Sequence, residues 1–150
     1  MRGFTFLEII IFLSIAVFLM VIIAVSFSSF HNNQELNTIV QKTTILINLA
    51  RSKTLSSEGF SQYGVHFETS RVVLFRGVIF EESNSDNSVT TMPPLIEISN
   101  INLNGGGNNL IFQKLTGKTE NYGTITLRIK SDTSKTKIID IKTTGIVNVL

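Results

Sequence analysis

The chain of 150 residues contains no cysteine. That excludes a disulfide framework, thiol catalysis and thiolate metal sites. Basic residues are scattered from Arg71 to Lys142 with no run, and the net charge is only +2 with a pI near 9.0. No stripe for nucleic acid is present, and no nucleic-acid binding is expected. The only histidines are His31 and His66, and neither H-x-x-x-H nor H-E-x-x-H spacing occurs. A histidine metal centre therefore has no support, and both residues read as ordinary surface or strand-face side chains. No G-x-S-x-G elbow occurs either. Two further absences shape the rest of the reading. No Asp, Glu, Lys or Arg lies between Glu8 and Glu35, and no proline or glycine lies between Phe4 and Ser57.

The second absence allows one continuous helix from Phe4 to about Ser57, on the order of 80 Å at 1.5 Å per residue. Its two halves differ in pattern. Roughly 19 nearly unbroken apolar residues follow Glu8, enough to span a bilayer as a helix. A secretory signal would carry a longer basic start, a shorter apolar core and a small-residue cleavage site after it. Here only Arg2 is basic, and Ser28, Ser29, Phe30, His31 and Asn32 follow the apolar run. The segment is read as retained, with Met1 on the cytoplasmic side by the positive-inside rule. Residues 35–57 are amphipathic instead. Leu36, Ile39, Val40, Ile47 and Ala50 fall at helical spacing, a stripe that must cover a core. Gly59 is the expected helix stop.

After Gly59 the period changes to two. Strands are expected at Tyr63–Phe67, Arg71–Phe80, Leu95–Leu103, a short "LIF", Tyr122–Lys130, Thr136–Lys142 and Ile146–Leu150, the last two forming a hairpin across Gly145. Residues 81–94, "EESNSDNSVTTMPP", read as a loop. Gly105–Gly107 lacks the following helix and Lys-Ser/Thr pair of a phosphate cradle, so it too reads as a loop. Glu81, Glu82 and Asp86 do not have the spacing of an EF-hand. The expected class is α+β: a long N-terminal helix packed on an antiparallel β domain of about six or seven strands.

The stretch "GFTFLEIIIFLSIAVFLMVIIA" resembles the class III signal of type IV pilins and pseudopilins. The resemblance implies that a membrane aspartic peptidase, the prepilin peptidase, cuts between Gly3 and Phe4 and methylates Phe4. It implies that Glu8 sets register during assembly by pairing with the new amine of a neighbouring subunit. Two charges that are costly alone in low dielectric become tolerable together. It divides the chain into a leader, 1–3, a transmembrane and filament-core helix, 4–30, and residues 31–150, the amphipathic helix half with a periplasmic or otherwise extracytoplasmic β domain. The leader, Met1-Arg2-Gly3, is shorter and less basic than is usual in that family. The implied partners are other pilin or pseudopilin subunits, an inner-membrane platform protein, an assembly ATPase and membrane lipid. No enzyme activity, metal or cofactor is expected, and the implied location is the bacterial inner membrane, single-pass.

Two further stretches, "NLARSKTLSSEGFSQYGVHFETSRVVLF" and "TKIIDIKTTGIVNV", resemble H-type minor pseudopilins of type II secretion and the related FimT-like minor pilins. The Ala50-Arg51-Ser52 step carries most of the first. Ile146 follows Gly145 where those relatives often have arginine. The expected function is thus a minor pilin or pseudopilin. The alternatives are a major pilin of an adhesive, motility or DNA-uptake fibre, and a signal-anchored β domain that binds a ligand without polymerising.

Overall fold

The computed structural model describes residues 4–150, except the side chains of residues 23–29. The expected leader, with Gly3, lies outside the described residues. The chain forms two compact units, one reaching to Gln34 and the other running from Glu35 to Leu150. One helix, α1 (Phe6–Leu55), contributes to both.

In the first unit the described large apolar side chains of α1 are exposed, from 47 % at Ile10 to 80 % at Phe6. Among the described residues no helix is long and apolar enough to cross a membrane.

The second unit holds the rest of α1, a 3-10 turn (Glu58–Phe60) and eight strands: β1 (Tyr63–Glu68), β2 (Arg71–Arg76), β3 (Ser88–Thr91), β4 (Ile96–Leu103), β5 (Asn109–Ile111), β6 (Gly123–Ile129), β7 (Asp132–Ile141) and β8 (Val147–Val149). They make two antiparallel four-stranded sheets, ordered β3-β2-β1-β5 and β4-β6-β7-β8. The two sheets meet where Ile98 N–H of β4 donates to Thr69 O in the β1–β2 turn (3.0 Å). The α+β class is as expected.

The amphipathic stripe is buried as its spacing requires. Leu36, Ile39, Val40, Ile47 and Ala50 join one core with Val65, Phe67, Phe112, Leu127 and Ile139 from both sheets. Thr54 ends the stripe. Its hydroxyl donates to Ala50 O (2.9 Å) and accepts the Tyr63 N–H (2.9 Å), so one buried oxygen joins the helix to the first residue of β1. The helix stops at Leu55, before Gly59. Ser57 already adopts a left-handed conformation (φ 52).

Several strand expectations change, among them the start of β7, which lies at Asp132 rather than Thr136. Residues 88–91 form β3 inside the stretch read as a loop, which raises the strand count to eight. Val89 is its one apolar residue, and it is an edge strand held by pairing to β2. The second strand ends at Arg76, where Gly77 takes φ 112. The imperfect alternation of "LIEISNINL" has a structural cause: a β-bulge between Ile98 and Asn100. It resets the inward face, so that Ile96 and Ile98 before it and Leu103 after it are all buried.

Candidate functional site

The site begins at the start of α1. The Glu8 N–H lies 3.1 Å from Thr5 O and 3.3 Å from the Thr5 hydroxyl, and Ile9 N–H donates to Thr5 O at 3.3 Å. Thr5 is therefore the N-cap and Glu8 the third helical residue, the Thr-x-x-Glu arrangement of a capping box. A carboxylate in this first turn lies at the positive end of the helix dipole, where it is favourable. The cap explains why threonine stands between the phenylalanine and the glutamate. The sequence reading singled out Phe4 and Glu8 but missed the role of Thr5, although the pattern ahead of an apolar run is a recognisable helix-start signal.

Phe4 precedes the cap and is 80 % exposed. With Glu8, Ile9, Phe12 and Leu13 it lines an open concavity of about 530 Å³. Glu8 is its one ionisable group. A carboxylate framed by four apolar side chains is poorly solvated when that face is covered, so it favours a covering group that brings a positive charge. Ser14, one of the small residues of this segment, turns its hydroxyl inward to Ile11 O (2.8 Å) and presents little bulk.

The two stretches that resemble minor pseudopilins meet in the β domain. Arg51 Nε donates to Gly117 O (3.1 Å). Gly145, in the β7–β8 turn, adopts φ +77, and a β-carbon there would lie 2.1 Å from Gly117 O and 2.9 Å from Arg51 Nε. The arginine after Ala50 thus fastens the end of α1 to the loop between β5 and β6, and in the turn before the final strand only glycine fits against that contact. The side chain following that glycine, Ile146, is exposed.

The remaining polar groups form structural contacts. His66 stacks on Phe80 (4.0 Å, 6° between planes). Its Nδ1 lies 2.6 Å from Asn109 Oδ1 and its Nε2 lies 3.4 Å from Glu68 Oε1. Arg71 forks onto both Glu68 and Glu82, with all four bonds at 2.8 Å. Hydrogen bonding to Arg71 holds the Glu68 carboxyl below its ordinary range, and the two carboxylates hold the guanidinium above its own. The acidic loop is thereby tied to arginines, since Asp86 also pairs with Arg76 at 3.5 Å. Gly105–Gly107 all take positive φ in the turn before β5, with a strand following rather than a helix. His31 is exposed on α1. Among the described residues no group of three or more His, Cys, Asp or Glu is placed to hold a metal.

No protein-family model and no curated protein sequence matches the chain. The fold is similar to that of the minor pseudopilin EpsH from the Type 2 Secretion System of Vibrio cholerae, with a TM-score of 0.57 at 13 % identity, over 77 % of this chain and 96 % of that one. At such low identity the likeness establishes a pseudopilin-like fold: an N-terminal helix region with a two-sheet antiparallel β domain.

Proposed function

We propose that the chain is a non-enzymatic filament subunit, a minor pilin or pseudopilin, assembled through the N-terminal half of α1. The observation that carries this reading is Glu8. It is a lone carboxylate on an apolar concave face, at the third position of a capped helix, four residues after the phenylalanine that follows Gly3. In this reading prepilin peptidase cuts between Gly3 and Phe4 and methylates Phe4. The new amine of one subunit then enters the Glu8 concavity of the next. The segment 4–30 is stored in the bacterial inner membrane with the β domain outside the cytoplasm. The pseudopilin-like fold favours a type II secretion role, with other pseudopilins, a platform protein and an assembly ATPase as partners.

Glu8→Ala is the test. Processing at Gly3 and membrane fractionation should be unchanged, because removing a carboxylate from an apolar segment makes insertion easier. In-cell cysteine crosslinking between neighbouring subunits should collapse. An amine buried without its partner costs about 3–5 kcal/mol, a loss of more than 100-fold. Glu8→Gln should fall between the two. Wild-type crosslinking by Glu8→Ala subunits would overturn Glu8 as the assembly device, and absence of crosslinks in the wild type itself would return the chain to the signal-anchored, non-polymerising reading.

A further inference from the structure

We infer that the pole of the β domain where α1 ends is a docking surface for an acidic partner protein. The inference stands on the domain alone and does not depend on the filament reading. Phe60 and Leu115 are the two most exposed large apolar residues described, at 92 % and 88 %. Both also adopt left-handed backbone conformations, φ 57 and φ 67, a region that residues bearing a β-carbon rarely occupy. Unfavourable backbone that displays an apolar side chain to water is a feature of function rather than of packing.

The two displays form one surface. Lys114 Nζ donates to Phe60 O (2.7 Å), joining the turn after α1 to the turn that carries Leu115. Arg76 holds the first turn through Gly59 O (2.6 Å) and the Ser61 hydroxyl (2.9 Å). Arg51 holds the second through Gly117 O (3.1 Å). Leu55, also exposed, packs at Gly117. The apolar side chains are therefore presented by turns already fixed in place, which removes an ordering cost from binding.

Charge and shape select the occupant. Glu58 is engaged by Lys53. Arg51, Lys114 and Lys118 meet no carboxylate among the described residues. With Glu120 as the one carboxylate here that meets no cation among the described residues, the surface is apolar with a net excess of positive charge, which complements an acidic segment bearing apolar side chains. A second copy docked by two-fold symmetry would set these cations against themselves. A notch of about 220 Å³ is lined by Val78, Ile111, Gln113, Glu120 and Asn121, of which Gln113 directly precedes Lys114 in the chain. A concave notch suits a protein side chain better than a flat lipid surface.

The test places the photo-crosslinker p-benzoylphenylalanine at Phe60, and separately at Leu115, in the full chain in its native host. Exposed Val89 on the edge strand β3 is the control position. Both pole positions should capture the same protein through a segment rich in Asp and Glu. Lys118→Glu should lower the yield from position 60 at least tenfold, and Lys118→Arg should preserve it. The thermal transition of each variant checks that it is folded, and the Leu115 probe serves if the Phe60 probe unfolds the chain. The inference is overturned by capture of lipid, of a second copy, or of a protein through a basic segment. Yield indifferent to Lys118→Glu, or no adduct above the Val89 control, overturns it as well.

Discussion

The two halves of α1 solve opposite problems. From Phe6 to Ile22 the large apolar side chains point in every direction and stay exposed, with no buried stripe among them. From Glu35 to Leu55 the apolar residues are fewer, but Leu36, Ile39, Val40, Ile47 and Ala50 are all under 5 % exposed. Hydrophobicity alone does not make a core. The second half carries its apolar residues at a spacing that two sheets of the same chain can cover. The first half shows no such spacing among its described residues, and in the proposed function its cover is lipid or other chains.

The sharpest way to break this comparison is to make the same substitution in both halves. Ile47→Ala should destabilise the unit from Glu35 to Leu150 by about 2–5 kcal/mol, through lost burial and a cavity. Ile15→Ala, at an exposed site in the first half, should leave that unfolding transition unchanged. Chemical denaturation of the full chain in detergent measures both. Equal losses would mean that the two halves share one core.

Thr54→Val sharpens the account of how the second half joins its sheets. It keeps the shape but leaves the buried Tyr63 N–H without the acceptor it has at 2.9 Å. The expected loss is about 1–3 kcal/mol, with hydrogen exchange accelerated first at Tyr63. A neutral result would mean that the helix end is held by apolar packing alone.

The smallest expected effect is electrostatic and confined to the β domain. Hydrogen bonding from Arg71 lowers the Glu68 carboxyl from its ordinary value of 4.5. A group lowered on folding adds stability that is present above its unfolded pKa and is lost as pH falls through its folded one. Glu68→Gln should therefore be less stable than wild type near neutral pH, by under about 1 kcal/mol for so exposed a pair. The gap should close below about pH 4. A gap that widens on acidification would contradict the assignment.

What the sequence disclosed follows from where the information lies. Helix α1 was legible because absence of glycine and proline and a 3.6-residue spacing are local properties. Strand β6 was legible because Ile125, Leu127 and Ile129 alternate cleanly. Strand β3 was not, because Ser88-Val89-Thr90-Thr91 has one apolar residue and owes its conformation to β2. The cap at Thr5 was legible and went unread. The bond from Arg51 to Gly117 and the bond from Lys114 to Phe60 join residues 66 and 54 positions apart. No local pattern announces them, and the exposed pole they build emerges only from the fold.

The central claim is that the chain is a filament subunit processed to begin at Phe4, ahead of the first half of α1. Intact-mass measurement of the chain from host membranes, with active and with inactivated prepilin peptidase, tests it most directly. The account predicts a mature chain lacking Met1–Gly3 and carrying one methyl group on Phe4, formed only when the peptidase is active. A chain that retains Met1 in the presence of active peptidase would contradict it.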